Sequence, residues 1–164
     1  MNERDPLSGT GRTSPPLIGK TALVTGASRG IGASVARQLA EVGADVAISY
    51  RSKGPRAKDV ASAIEALGRR SLLLQADITS PEDIASTFTQ IAEAWSHLDL
   101  LILNASGGLE KDKPADYAMR LNLDAQVSWL EGILAAQTNL PAVLIHPSAY
   151  VCETQYLCHC VASN

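Results

Sequence analysis

Thr25-Gly26-Ala27-Ser28-Arg29-Gly30-Ile31-Gly32 is the stretch that most limits what this chain can become. It follows the apolar run Thr21-Ala22-Leu23-Val24, which reads as a short buried strand. It precedes Ala33-Ser34-Val35-Ala36-Arg37-Gln38-Leu39-Ala40, which reads as a helix. Three glycines at G-x-x-x-G-x-G spacing between strand and helix have a physical use. Gly26 can take the sharp turn off the strand, where a Cβ would restrict the backbone. Gly30 lets the main chain approach a pyrophosphate closely, and Gly32 lets the new helix pack tightly on the sheet. The helix start adds unpaired N–H groups and a positive dipole end, both suited to phosphate. An ordinary glycine-rich turn would need none of this context.

The remainder repeats the strand-then-helix pattern. Short apolar runs at 20–25, 45–50, 71–76, 98–104 and 142–146 read as strands. Helices are expected over 30–42, 56–67, 81–95 and 115–137. In the first of these, Ile31, Val35, Leu39 and Val42 recur at helical spacing, and Gly43 is a plausible end. In the second, Val60, Ile64 and Leu67 share a face. Ser80-Pro81-Glu82-Asp83 is a strong start for the third, with serine as cap, proline at the first position and acids in the first turn. Alternation of this kind predicts an α/β fold, a doubly wound parallel sheet. Ligands of such sheets sit at the carboxyl ends of the strands, where the strand order reverses.

The octet resembles the cofactor loop of the short-chain dehydrogenase/reductase family, whose glycine spacing differs from the commoner G-x-G-x-x-G. The resemblance implies a Rossmann-like sheet in the order 3-2-1-4-5, with Gly26 and Asn104 facing each other. It also implies a nicotinamide cofactor held by Gly26, Ser28, Arg29, Gly30, Ile31 and Gly32. The end of the second strand selects which one. A free ribose wants a carboxylate there, but Ser49-Tyr50-Arg51-Ser52-Lys53 carries two cations and no acid. Arg51 suits a 2′-phosphate through a charge-assisted contact, with Arg29, Ser28 and Ser52 in support. NADP(H) is therefore expected, although a solvated basic loop has the same composition.

By the same resemblance Asp77 meets the adenine amino group; without it, Asp77 is as well read as a turn acid. Asn104 and Ala105, in Asn104-Ala105-Ser106-Gly107, match the segment that lines the adenosine pocket, with Ser106 in place of the commoner glycine. Asn122 matches the helix asparagine whose backbone helps hold a water in a proton relay. Ser148 sits where the family has its catalytic serine, a hydrogen-bond donor to the substrate carbonyl. The implied reaction is hydride transfer between a small-molecule carbonyl and an alcohol.

The family's acid/base pair is a tyrosine followed four residues later by a lysine, whose ammonium draws the phenol from about 10 toward neutrality. Here Tyr156 is followed at that offset by Cys160, Tyr150 by Thr154, and the last lysine is Lys113. The expected organisation is a disordered leader over 1–19, a nucleotide-binding domain over 20–148, and a divergent tail over 149–164. That tail reads as a truncation or mis-splicing that removes the last strands of the family fold. The alternative to an enzyme is a non-catalytic NADP(H)-binding module or pseudoenzyme subunit. The 115–137 helix would serve as an interface between copies.

Composition excludes other classes. A net charge of −3 carries no electrostatic footprint for nucleic acid or anionic membrane. No apolar run reaches the length of a membrane span and the start lacks the apolar core of a signal peptide, so a cytoplasmic location is expected. Cys152, Cys158 and Cys160 cluster at one end at no zinc spacing, and no metal site is expected.

Overall fold

The computed structural model describes residues 15–107 and 113–136. They form β1 (Thr21–Val24), α1 (Gly30–Glu41), β2 (Asp45–Tyr50), α2 (Gly54–Ala66), β3 (Ser71–Gln75), α3 (Pro81–Trp95) and β4 (Leu100–Ile102). A last helical stretch opens with α4 (Tyr117–Met119), widens into a π-helical turn (Arg120–Asp124) and continues as α5 (Ala125–Ala136). The four strands are parallel, in the order β3-β2-β1-β4. The fifth strand, expected over 142–146, lies outside the described residues. Val24 is in register with both Ile48 and Ile102, so the loops after β1, β2 and β4 leave the sheet side by side.

Successive strand residues alternate between two cores, as the pleat requires. Ala22, Val24, Val46, Ile48 and Ile102 pack with α1 and α2; Leu23, Ala47, Leu74 and Leu101 pack with α3 and α5. Both sheet faces are covered, which is why the strands read as unbroken apolar runs. Trp129 of α5 is fully buried and meets Phe88 of α3 edge-to-face, with centroids 5.5 Å apart. Gly132 permits this approach, since a Cβ there would lie 2.9 Å from the Phe88 ring. Among the described residues no helix is long and apolar enough to cross a membrane.

Helix α1 buries a face other than the one its large residues suggest. Gly32, Ala33, Ala36 and Ala40 are buried, Val35 and Leu39 are half-buried, and Ile31 and Val42 are exposed. The helix packs against a core built largely of alanines, among them Ala22, Ala27 and Ala44, whose small side chains allow a close approach. Leu67 likewise falls at the end of α2 and is exposed, while Ala57 and Ala61 complete the face begun by Val60 and Ile64. The start of α3 is as read: Ser80 Oγ accepts the Asp83 N–H at 3.2 Å.

At the opposite end of the sheet from these loops, Asp99 ties β1 to the start of β4. Its carboxylate accepts from Lys20 Nζ at 2.9 Å and from the Thr21 N–H at 2.8 Å, with His97 Nε2 at 3.2 Å. Pro15 to Gly19, the end of the expected leader, form a turn in which the Leu17 N–H donates to the Val42 carbonyl at 2.9 Å. Residues 1–14 and the tail over 149–164 lie outside the described residues.

Candidate functional site

The glycine octet forms the bend between β1 and α1. Gly26 has φ +66°, and a Cβ there would lie 2.9 Å from Cα of Ala105. The Ala27 N–H donates to the Ser49 carbonyl at 3.0 Å and so fastens the loop to β2. Gly30 has φ +57° with open space where its side chain would be. A Cβ at Gly32 would collide with Asn104 Nδ2 and lie 2.8 Å from the Gly26 carbonyl oxygen, so the absence of a side chain lets the start of α1 sit close to the loop and to the end of β4. Arg29, the residue before α1, makes no side-chain cap bond, which leaves the first helical N–H groups directed at the space beside the loop.

Thr25 and Asn104 join the ends of β1 and β4. The Asn104 side-chain amide donates to the Thr25 carbonyl at 2.9 Å and the Gly26 carbonyl at 3.3 Å. In return, the Thr25 hydroxyl oxygen accepts the N–H groups of Asn104 and Ala105, both at 3.0 Å. Gly26 and Asn104 thus face each other, as the resemblance implies.

At the end of β2 the rim is basic. Arg51 is exposed, and its Nη1 lies 3.9 Å from Asp77 Oδ2. Asp77 closes a turn: its Oδ1 accepts the Thr79 N–H at 2.9 Å and the Thr79 hydroxyl at 2.7 Å. Burial pushes the Asp77 carboxyl up, but the two Thr79 bonds and the Arg51 charge outweigh it and hold the group below the usual range. Ser49 is buried beside the rim, and its hydroxyl has no hydrogen-bond partner among the described residues.

These elements enclose a cleft of about 490 Å³. Gly26, Ser28, Arg29, Gly30, Ile31, Gly32, Arg51, Ser52, Asn104 and Ala105 all line it. Asp77 sits between two lining residues, Ala76 and Ile78, with its carboxylate engaged in the turn. Asn122 lies in the π-helical turn, where its side chain grips both backbone groups of Gly107: Oδ1 accepts the N–H at 3.3 Å and Nδ2 donates to the carbonyl at 2.8 Å. Ser148 and Tyr156 lie outside the described residues. Among the described residues no group of three or more His, Cys, Asp or Glu could hold a metal ion.

The structure adds residues that the sequence reading passed over. Thr25 had a signal, a hydroxyl at the last position of a buried run. Ser49 had a similar signal, a hydroxyl one place before the end of β2. Tyr117 and Leu121, which line the cleft from the helical stretch, are four residues apart and so share a face.

A profile of the short chain dehydrogenase family matches residues 20–139. A hydroxynaphthalene reductase of Aspergillus fumigatus is 44% identical over 101 residues, 62% of this chain and 36% of the relative. A tetrahydroxynaphthalene reductase of Pestalotiopsis fici is 39% identical over 90 residues, 55% of this chain and 32% of the relative. The chain thus spans between a third and a half of the curated relatives it matches. Among solved structures, a Burkholderia cenocepacia short chain dehydrogenase in complex with NADP superposes with a TM-score of 0.65 at 41% identity, over 73% of this chain and 51% of that one. A Serratia marcescens short-chain dehydrogenase/reductase gives 0.70 at 31% identity, over 80% of this chain and 56% of that one. A glycine loop joined to Asn104 through Thr25, at the switch point of a 3-2-1-4 sheet and under a matching family profile, means that this chain belongs to the short-chain dehydrogenase family.

Proposed function

We propose that the cleft binds NADP(H) and that the protein moves hydride between this cofactor and a carbonyl or alcohol carbon. The observation that carries the cofactor choice is the rim after β2, where Arg51, Ser52 and Lys53 line the cleft and no carboxylate does. The residues fit the group. The unpartnered Ser49 hydroxyl is a buried donor in want of an acceptor. The open space at Gly30 and the uncapped start of α1 suit a pyrophosphate. A 3.9 Å contact to Asp77 from an exposed Arg51 is a weak ion pair, which a 2′-phosphate can replace with a shorter one. Asp77 and Ala105 would border the adenosine. The Burkholderia relative, in complex with NADP, supports the same choice.

Bound nicotinamide supplies the hydride. The chain's own residues hold the phosphates, order the cofactor between the β2 rim and the β4 loop, and exclude water from the apolar part of the cleft. Ser148 would donate a hydrogen bond to the substrate carbonyl and the Asn122 backbone would help hold a relay water, while Tyr156, followed at the fourth place by Cys160, is a doubtful acid/base. None of the four tyrosines in these 164 residues has a lysine four places on. That observation favours a second reading, an NADP(H)-binding module in which this chain alone turns over slowly or not at all. Met119, Leu123 and Leu134 are 60%, 47% and 73% exposed along the last helical stretch, which supports pairing of two copies there. A cytoplasmic location accords with this cofactor.

The test is a parallel titration of NADPH and NADH, repeated on Arg51→Ala. NADPH should bind more tightly, and Arg51→Ala should weaken it about tenfold or more while leaving NADH nearly unchanged, as loss of a charge-assisted bond implies. Tighter NADH binding by the unaltered chain would overturn the cofactor assignment. Turnover with hydroxynaphthalenes, the first substrates suggested by the relatives' names and open to hydride as their keto tautomers, separates the enzyme from the binding module.

A further inference from the structure

The cleft has basic and apolar borders. Arg29, Arg51 and Lys53 line it from the loops after β1 and β2, whereas Ile78 and Leu121, with Ala105 and Tyr117 packed against the same core, bring apolar surface and one phenol to it. Tyr117 is half-buried against the core that contains Ile78 and Leu121. Its backbone is fixed by an N–H bond to the Pro114 carbonyl at 3.0 Å, and the Lys113 ammonium lies 5.1 Å from its ring centroid. A cation so placed is attracted to the ring's π-face and limits the ring's swing.

We infer that Tyr117 is the aromatic wall against which the adenine of the dinucleotide rests, with Lys113 setting the attitude of the ring. The inference rests on the NADP(H) reading of the cleft. A flat, uncharged heteroaromatic ring matches the apolar border, and stacking on an aromatic side chain rewards it. The position picks adenine over nicotinamide. Ala76 donates its N–H to the Tyr50 carbonyl at 3.0 Å, so the β3 end of this apolar wall abuts the β2 rim that carries Arg51. A 2′-phosphate at Arg51 belongs to the adenosine ribose, and the base within reach of it is adenine. Tyr117 then acts as a positioning residue for the adenosine half, while Arg51 selects its phosphate.

The experiment measures affinity for three probes: NADPH, adenosine 2′,5′-bisphosphate and reduced nicotinamide mononucleotide, which lacks the adenosine. Tyr117→Ala should weaken the first two about tenfold and leave the third unchanged, and Tyr117→Phe should restore both. Lys113→Ala should cost about twofold to threefold, in line with an exposed cation–π contact. Tyr117→Leu keeps an apolar contact with the core and gives the same readout if the alanine variant does not fold. Unchanged bisphosphate affinity in Tyr117→Leu, with the unaltered chain binding normally, would overturn the inference and leave the NADP(H) reading standing. A loss confined to the mononucleotide would put nicotinamide at Tyr117 and overturn it too. Failure of the unaltered chain to bind both NADPH and adenosine 2′,5′-bisphosphate would remove the cofactor reading itself.

Discussion

Gly26 and Gly30 lie in one loop with nearly the same φ, yet a methyl group added at each should have unequal consequences. Both occupy the left-handed region, +66° and +57°, which costs an L-residue about 1–2 kcal/mol. At Gly26 the new Cβ would also lie 2.9 Å from both Cα and Cβ of Ala105, whose backbone is held by the Thr25 hydroxyl. Overpacking against a fixed backbone adds about 1–3 kcal/mol. Gly26→Ala should therefore lose about 2–5 kcal/mol, a large part of a typical domain's ~5–15 kcal/mol. Gly30→Ala meets nothing within 4 Å and should lose only the conformational part. That open space is the proposed pyrophosphate position, so Gly30→Ala should lose cofactor affinity out of proportion to its stability. Urea unfolding gives the first quantity and NADPH titration the second. Gly30→Ala as destabilised as Gly26→Ala, or fully stable and binding as well as the unaltered chain, would refute the argument.

Two further outcomes follow from the hydrogen bonding. Burial raises the Asp99 carboxyl, but the Thr21 N–H and the Lys20 ammonium more than reverse this, so its pKa is lowered on folding. Its contribution is therefore complete above the unfolded value of about 3.9 and lost as pH falls through the lower folded value; Asp99→Asn should be less stable near neutrality and lose less than the unaltered chain on acidification, and parallel losses in urea unfolding at each pH would contradict this. Asn122→Ala strands both backbone groups of Gly107, which should cost about 1–3 kcal/mol and accelerate exchange of the Gly107 amide, as hydrogen-exchange NMR would report.

The sequence was most readable where one residue type has one use. The glycine octet, the Ser80 cap and the limits of β2 were all plain, because backbone conformation and capping are local matters. The buried face of α1 was not. Its large residues mark a helical stripe, but how close a helix may approach a sheet depends on both partners, and the alanines on each side only show their meaning together. The close neighbour of Gly32 was hidden for a related reason: Asn104 is 72 residues away in the chain. Tyr117 was hidden because an aromatic residue near a helix start is ordinary until the cleft beside it is seen. The π-helical turn at Arg120–Asp124 has no sequence signal of its own, and it holds Asn122, whose bonds to Gly107 join residues 15 apart in the chain.

The reciprocal bonds between Thr25 and Asn104 bear on how this site can diversify. The glycine loop and the β4 loop are two lips of the cleft, but through those bonds they behave as one piece of backbone. Neither can widen without the other, and a substitution in either is felt in both. Inherited change in what the cleft accepts is thereby channelled to its other borders, the β2 rim at Arg51 and the helical wall at Tyr117, where single side chains can be exchanged without reopening the sheet. Relatives that keep the Thr25–Asn104 clasp should differ from this chain chiefly at those two borders.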